Sequence, residues 1–335
     1  MSLSKKNGTT LVSGGAGFLG SHLCETLLAK GEKVLCVDNF VTGSDRNLAA
    51  IHDHPQFRLE ARDICEPFDP GIQIGRIYNL GCVASPPHYQ ADPVQTMRSC
   101  VVGTINLLEL ADRHGARFLQ ASTSEVYGDP EVHPQNEAYN GNVNCTGPRA
   151  CYDEGKRAAE AMCFDFKRAG RVDVRVARIF NTYGPRMQPN DGRVVSNMIV
   201  QALRGQALTV YGDGSQTRSF CYVGELVDGL YRLMEAEPTP QAQVNLGNPD
   251  EFTILELAEL IRLQIGAPAG IRFEPLPNDD PQRRRPDIAC AIKLLNWRPK
   301  TTLQEGLAIT VDYFREVVKP GAVPAGVDLR SLDRV

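Results

Sequence analysis

The chain has no excess of positive charge. Its 36 lysines and arginines are outnumbered by 40 acidic residues, which gives a formal net charge of −4. Proteins that bind nucleic acid through their phosphates usually carry a basic face, so we expect no nucleic-acid partner. The few local arginine clusters are therefore treated as sites for small anions.

Long apolar runs are also missing. No stretch of about 18 apolar residues occurs, so no membrane-spanning helix is predicted. The N-terminal segment Met1–Thr9 is too polar to resemble a signal peptide. We expect a cytoplasmic protein that does not associate with membranes.

Metal-ligand spacing is absent from the cysteines and histidines. The ten cysteines are scattered, several of them in apolar runs where a reduced thiol behaves as a small hydrophobic group. His52 and His54 lie in a polar connection with no further ligand near them in sequence. We therefore expect free thiols and no metal site.

A glycine-rich turn is the strongest local signal that is present. The apolar run Thr9–Ser13 precedes GGAGFLG, from Gly14 to Gly20, and a helical pattern follows. Gly14 permits the tight turn, Gly17 lets a pyrophosphate approach the backbone, and Gly20 lets the helix pack on the strand. This pattern predicts a dinucleotide site at the start of the helix.

The end of the next strand identifies the dinucleotide. Asp38 stands where a carboxylate binds the ribose hydroxyls of adenosine, and it would repel a 2′-phosphate, which favours NAD. Asp63 ends a third strand and is placed to meet the adenine amino group. The predicted cofactor site also includes residues that flank these positions, namely Phe18, Leu19, Asn39, Ile64 and Leu80.

Strand and helix patterns alternate over the first half of the chain. This alternation predicts an α/β fold with a Rossmann-like, doubly wound parallel sheet in an NAD-binding domain, residues 1–185. Residues 186–319 then predict a smaller mixed α/β substrate-binding lobe, with some segments returning to the first domain. Residues 320–335 are expected to form a loosely ordered tail.

Two further expectations concern the region after the fourth strand. Pro86 and Pro87 disfavour a helix and predict an irregular loop at the carboxyl edge of the sheet. Asp92 and Pro93 then begin a helical pattern that continues to His114.

A tyrosine and a lysine four residues apart predict acid–base chemistry. Tyr152 and Lys156 share one face of a helix. We expect the ammonium to lower the pKa of the phenol, ordinarily about 10, and to make it a usable base. Thr123, at the end of a strand, can hydrogen-bond the hydroxyl that loses its proton. Hydride transfer to NAD completes the predicted oxidation.

Five longer strings extend this pattern to most of the chain. They are ASPPHY (residues 84–89), TSEVYGDP (123–130), GPRACYDEGKR (147–157), NDGRVVSN (190–197) and DDPQRRRPD (279–287). Together with the glycine turn they resemble the extended short-chain dehydrogenase/reductase family, the NAD-dependent epimerases and dehydratases of nucleotide sugars. The strings most resemble the members that convert UDP-glucuronate to UDP-xylose.

The resemblance implies a decarboxylation within one turnover. Bound NAD would oxidise C4, the 4-keto sugar would lose its C6 carboxylate as carbon dioxide, and C5 would be protonated before C4 is reduced again. Thr123 and Tyr152 would bind the C4 oxygen. Glu125 would orient the sugar, and Arg284 would aid reprotonation, although the choice among residues 283–285 is open. The turn should then hold NAD firmly.

Ser124 favours decarboxylation over dehydration. The related 4,6-dehydratases carry an aspartate at this position, and serine is a poor acid. The same matching assigns Arg218 to the UDP diphosphate. It also places several residues beside the sugar or over the nicotinamide, namely Pro86, Tyr89, Asn181, Tyr211, Thr182 and Arg193.

Some alternatives stay open. A UDP-hexuronate 4-epimerase and a 4,6-dehydratase share much of the pattern, and a catalytically silent NAD-binding sensor is a different class that typically lacks the tyrosine or lysine. In the loop 136–146, Asn140 and Cys145 replace an aromatic residue and a proline usual in the family. We expect this loop near the sugar, which leaves the exact sugar acid open. The family also implies a homodimer that pairs helices at 93–114 and 152–168.

Overall fold

A computed structural model describes residues 8–266, 270–276 and 283–318. The predicted loose tail, 320–335, and residues 279–282 of the arginine-rich string lie outside the described residues. The strands within these ranges are β1 Thr9–Ser13, β2 Val34–Asp38, β3 Phe57–Ala61, β4 Ile74–Asn79, β5 Arg117–Thr123, β6 Asp173–Ile179, β7 Thr182–Tyr183, β8 Leu208–Tyr211, β9 Thr217–Ser219, β10 Cys221–Tyr222, β11 Val244–Leu246, β12 Glu251–Thr253, β13 Ile271–Glu274 and β14 Arg283–Arg284.

The helices alternate with these strands over the first half of the chain. They are α1 Phe18–Ala29, α2 Pro86–Ala91, α3 Pro93–Arg98, α4 Thr104–His114, α5 Ala150–Arg168, α6 Val194–Leu203, α7 Val223–Glu235, α8 Ile254–Ile265, α9 Ala289–Leu295 and α10 Leu303–Val317. Within the described ranges, no helix combines the length and apolar character needed to cross a bilayer.

Seven strands form one parallel sheet in the order β11-β6-β5-β4-β1-β2-β3. The predicted doubly wound α/β sheet is confirmed. The strand order reverses between β1 and β4, and in open parallel sheets the crevice at such a point binds ligands. The glycine turn after β1 and the loop after β4 lie side by side at this crevice.

Buried polar side chains join the central strands beneath the crevice. Ser13 on β1 donates to Asn79 on β4 at 2.8 Å, and Asn79 donates to Gln120 on β5 at 2.9 Å. Asn79 also donates to Thr104 at the start of α4, at 3.1 Å. Because each of these groups is buried and hydrogen-bonded, the network holds the three strand ends in a defined arrangement.

Helices cover the sheet, and the later part of the chain contributes to this packing. Trp297, which follows α9, is buried in the same cluster as residues of β1, α1 and α7. A second cluster joins α6, α8, α10 and β8 away from the sheet. The second half of the chain therefore supplies both a strand of the main sheet, β11, and a separate packed layer beside the crevice.

The region after β4 differs from the prediction in one respect. The expectation of an irregular loop around Pro86 and Pro87 is wrong, because α2 begins at Pro86. Proline is accepted in the first turn of a helix, where its missing N–H has no intrahelical partner in any case. The long helix expected from Pro93 to His114 is present as α3 and α4, joined by a π-helical segment, Ser99–Gly103.

Candidate active site

One cavity of about 600 Å³ opens at the carboxyl edge of the sheet, and every predicted site residue lines it. The strand ends deliver Thr123 and Asp38, while α5 delivers Tyr152 and Lys156 from the side. This convergence follows from topology, since parallel strands present all their carboxyl ends at one edge. What each residue does there remains a prediction.

The glycine turn fits the predicted pyrophosphate of NAD. Gly14 has φ +70°, and a Cβ added to it would lie 2.6 Å from the carbonyl oxygen of Leu80. A Cβ on Gly20 would lie only 2.0 Å from the carbonyl oxygen of Gly14. The N-cap of α1 is Gly17, which offers no side-chain cap, and the first helical turn has no acidic residue. The amides at this helix start are therefore suited to an anion.

Asp38 is held firmly at the end of β2. One carboxylate oxygen accepts the backbone N–H of Ala16 at 2.9 Å, and the other accepts that of Phe40 at 2.8 Å. Burial raises the pKa of Asp38, and the two backbone hydrogen bonds oppose this effect. Each oxygen retains a second acceptor position, so the carboxylate fits the ribose hydroxyls it is predicted to bind.

The predicted adenine side lies next to Asp38. Asn39 and Gln95 each donate to one oxygen of Asp63 at 3.3 Å, and the other oxygen accepts the backbone N–H of Cys65 at 2.8 Å. Ile64 is buried against Gly103, where an added Cβ would come within 2.6 Å of the isoleucine side chain. The π-helical segment therefore forms the wall behind Ile64.

Thr123, Tyr152 and Lys156 meet at the centre of the cavity. The side chains of Thr123 and Tyr152 are hydrogen-bonded, and Lys156 donates to the carbonyl oxygen of Ala121 at 2.9 Å. The expected lowering of the Tyr152 pKa by Lys156 is not what the structure shows. Burial raises the pKa of Tyr152 well above its ordinary value, and only the Thr123 hydrogen bond partly offsets it.

Glu125 lies between two guanidinium groups. Arg284 donates to one of its oxygens at 2.9 Å, and Arg149 donates to the same oxygen at 2.6 Å. Burial by itself would raise the pKa of Glu125, but Arg284 and Arg149 outweigh burial and hold the pKa below its ordinary value. Glu125 is therefore a fixed carboxylate, not an acid with a proton to donate.

Register explains why one arginine of the triplet faces the cavity. In the parallel pair of β14 with β9, Arg284 lies opposite Arg218, and both side chains are buried. Arg283 is exposed, as the two-residue alternation of a strand requires. Arg285 pairs with Glu251 at 3.6 Å outside the cavity. Arg284 is thus the one member of the triplet that lines the site.

The remaining predicted residues form the rim and the walls. Tyr89 stacks on Tyr152 with ring centroids 5.0 Å apart and planes inclined by 4°. Thr182 donates to the carbonyl oxygen of Phe180 at 2.9 Å. The other predicted residues that line the cavity are Pro86, Asn181, Tyr211, Arg193, Leu80, Leu19, Phe18 and Ser124.

No residue of the loop 136–146 lines the cavity, so whether this loop lies near the sugar stays a prediction. Gly128 has φ +62° and turns the chain away after Glu125. Its neighbour Asp129 donates its backbone N–H to Asn142 at 3.0 Å, which anchors the loop outside the site. The substitutions at Asn140 and Cys145 therefore do not alter the cavity wall.

Three residues in or beside the site were not singled out from the sequence. Arg149 precedes α5 and binds Glu125, while Asp153 is buried one residue after Tyr152. Burial and the charge of Glu125 raise the pKa of Asp153 to about 7, against the opposing effect of Arg149. Cys82 lines the cavity beside Cys100. Each depends on a contact between distant segments, and nothing local marks it.

No cluster of histidine, cysteine, aspartate or glutamate suited to a metal ion occurs in the part of the chain that the structure describes. All ten cysteines are free. The site presents two buried guanidinium groups, those of Arg218 and Arg284, whose charges act on the Glu125 carboxylate. These features can bind a phosphorylated, negatively charged ligand.

Comparison with known proteins gives a consistent result. Residues 10–247 match the NAD dependent epimerase/dehydratase family. UDP-glucuronic acid decarboxylase 1 of Danio rerio is 56% identical over 304 residues, which cover 91% of this chain and 72% of that protein. UDP-glucuronic acid decarboxylase 3 of Arabidopsis thaliana is 53% identical, with 91% of this chain and 88% of that protein covered.

A solved structure supports the same fold. UDP-glucuronic acid 4-epimerase from Bacillus cereus, in complex with UDP-glucuronic acid and NAD, is 26% identical with a TM-score of 0.83. The similarity covers 92% of this chain and 99% of the epimerase.

Proposed function

The chain belongs to the NAD dependent epimerase/dehydratase family, and from this membership we propose that it decarboxylates UDP-glucuronate to UDP-xylose with bound NAD. Relatives that share more than half of its residues over more than nine-tenths of its length carry the name of this activity. The observation in the structure that carries the proposal is the Glu125 carboxylate held by Arg284 and Arg149 at the cavity wall.

Bound NAD supplies the oxidant that takes a hydride from C4 of the sugar and returns it at the end of the turnover. The protein groups must remove and later restore the proton of the C4 hydroxyl. Tyr152 and Thr123, already hydrogen-bonded to each other, are the pair that does so. Because burial raises the pKa of Tyr152, the phenol loses its proton only where a nearby positive charge stabilises the phenolate.

Carbon dioxide leaves from the 4-keto sugar because the electrons of the breaking bond delocalise into the C4 carbonyl. The developing enolate oxygen is stabilised by hydrogen bonds from Thr123 and Tyr152. Glu125, at the cavity wall, orients the sugar from which the carbon dioxide leaves. Its own charge remains balanced by the two arginines.

C5 must then receive a proton before C4 is reduced. The Arg284 guanidinium is always charged and bears several N–H groups, so it orients a water molecule beside Glu125 and steers the proton to C5. Arg218, the register neighbour of Arg284 on β9, would bind the UDP diphosphate, because its planar guanidinium group suits phosphate oxygens.

Two related reactions predict different products. A 4-epimerase returns an isomeric hexuronate and releases no carbon dioxide. A 4,6-dehydratase needs an acid where this chain has Ser124, and the neighbouring Glu125 is held ionised by its arginines. A silent sensor would bind NAD and leave UDP-glucuronate unchanged.

The decisive experiment incubates the purified protein with UDP-glucuronate and identifies the products by chromatography and mass spectrometry. We expect UDP-xylose and carbon dioxide in equal amounts. Unchanged UDP-glucuronate, or an isomer without carbon dioxide, would contradict the proposal. Tyr152→Phe is expected to retain NAD but lose turnover, and full activity in that variant would remove Tyr152 as the acid–base group.

The assembly and location are proposed with the function. We propose a homodimer formed through the helices α3, α4 and α5, and Val94 on α3 is an exposed apolar residue there.

We also propose a cytoplasmic location, which ten free cysteines support. Light scattering on the purified protein and imaging of the tagged chain test the two points.

A further inference from the structure

Two thiols meet in the wall of the cavity next to the predicted catalytic pair. Cys82 follows β4 in the loop that lines the crevice, and Cys100 lies in the π-helical segment behind it. Their sulfur atoms are 3.1 Å apart. Cys82 is half-buried and lines the cavity, whereas Cys100 is only 1% exposed. The pair therefore has one member that a small molecule can reach and one that it cannot.

The surroundings make the two sulfurs chemically unequal. The hydrogen bond with Cys100 lowers the pKa of Cys82, burial opposes this, and the Lys156 ammonium adds to the lowering. The same hydrogen bond, together with burial, raises the pKa of Cys100. An accessible sulfur with thiolate character beside a buried thiol is the arrangement that favours attack on an oxidant followed by resolution.

We propose that Cys82 and Cys100 form a site of reversible oxidative modification, where a hydroperoxide converts the two thiols into a disulfide. The Cys82 thiolate attacks one peroxide oxygen, the O–O bond breaks, and Cys82 becomes a sulfenic acid. The Cys100 sulfur then displaces the sulfenic oxygen as water and forms the S–S bond. Two thiols lose two electrons and two protons, and hydrogen peroxide is reduced to two water molecules.

The modification reaches the reaction centre through packing. A Cβ added to Gly155, on α5 between Tyr152 and Lys156, would lie 2.9 Å from the Cβ of Cys100. The two sulfurs must approach by about 1 Å to bond, which draws the cavity loop and the π-helical segment together. Because no space separates that segment from α5, the bond displaces the catalytic face and lowers the rate of decarboxylation.

A second thiol pair in the chain provides an internal control. Cys24 on α1 and Cys36 on β2 are hydrogen-bonded neighbours, but both are fully buried in the core. This hydrogen bond and burial raise the pKa of Cys24. In both pairs the two sulfur atoms lie close together. Only the pair Cys82 and Cys100 can be reached from a cavity and lies near a lysine.

The test treats the folded protein with hydrogen peroxide, removes the excess with catalase, alkylates free thiols in denaturant, and maps the peptides without reduction. We expect a Cys82–Cys100 linked peptide that dithiothreitol abolishes, with Cys24 and Cys36 still alkylated. This mapping does not depend on the proposed reaction. A linked peptide that never forms, or oxidation of Cys24 and Cys36 to the same extent, would overturn the proposal.

Two variants sharpen the result. In Cys100→Ser the linked peptide is absent, and Cys82 is expected to accumulate as a sulfenic acid that a dimedone probe labels. Cys145→Ser, which removes an exposed cysteine outside the cavity, should behave as the parent. In the parent, carbon dioxide release should fall as the linked fraction rises and recover with dithiothreitol. A constant rate at full linkage would refute the effect on the reaction.

Discussion

Replacing Arg149 by methionine tests whether the guanidinium clamp on Glu125 matters for turnover. The methionine keeps an apolar stem of similar length but removes the charge-assisted hydrogen bond of 2.6 Å to Glu125. Arg284 remains paired with the carboxylate, so no isolated buried charge is created. Arg149 is therefore tested as a positioning residue that acts through Glu125.

A hydrogen bond to a charged group contributes about 1.5–3 kcal/mol. Because each 1.36 kcal/mol corresponds to a tenfold change in rate, we expect kcat to fall about 10- to 150-fold if the whole contribution acts in the transition state. KM for UDP-glucuronate should change much less, since Arg284 and Arg218 are retained. Initial rates of UDP-xylose formation at varied substrate concentration separate these two constants.

The pH dependence provides a second readout. Arg149 helps to hold the pKa of Glu125 below its ordinary value, so its loss should raise that pKa. The ionised carboxylate is then lost at a higher pH as the solution is acidified, and the acid limb of kcat should move upward. A variant with lost packing alone would keep the acid limb of the parent.

The control is Arg168→Met, which removes an exposed guanidinium group at the end of α5, the helix that Arg149 precedes. Its kcat and pH profile should match the parent, and thermal unfolding should show that both variants are folded. A folded Arg149→Met protein with parental kcat and an unmoved acid limb would refute the reasoning.

Three further predictions concern the fold and the cofactor. Gly20→Ala places a Cβ 2.0 Å from a backbone carbonyl oxygen, so it should destabilise the protein by about 1–3 kcal/mol and cause the loss of retained NAD. Calorimetry measures the stability, and absorbance measures the retained NAD. In the control Gly270→Ala the added Cβ meets open space, and neither quantity should change. Glu160→Gln leaves Arg178 without its bidentate partner, at 2.9 and 2.7 Å, and should cost about 3–5 kcal/mol in urea unfolding. The pKa of Asp153 is raised to about 7 in the folded protein, whereas the unfolded carboxyl ionises near pH 4, so the folded state loses stability as the pH rises from about 4 through 7. Asp153→Asn should therefore melt at a higher temperature than the parent at pH 8. At pH 5 the increase in melting temperature should be smaller.

Local chemistry made part of the site predictable. The glycine turn and the acid that follows it lie within one strand–helix–strand unit, and Tyr152 and Lys156 lie about one helical turn apart. Their geometry is set by φ, by helix period and by the parallel sheet, so the dinucleotide side of the cavity could be anticipated. The structure then places these residues around one cavity, as the alternation of strands and helices predicts.

Two other predictions failed, one for a local reason and one because neighbours from elsewhere in the fold decided the outcome. Pro86 starts a helix because its position in the first turn tolerates a missing N–H. The pKa of Tyr152 is set by burial under the surrounding elements, whereas Lys156 is occupied by a carbonyl group of β5. Neither burial nor a competing acceptor can be deduced from a spacing of four residues.

The sequence by itself determined the doubly wound sheet, because that depends on repeated local patterns. It also predicted where the cofactor binds and which tyrosine reacts, from strings of specific residues. Only the tertiary structure decided that Arg149 and Arg284, 24 and 159 residues from Glu125, converge on one carboxylate. It also decided which arginine of the triplet faces inward and that Cys82 meets Cys100. Such contacts depend on how separate elements pack, and packing brings together groups whose separation along the chain carries no signal.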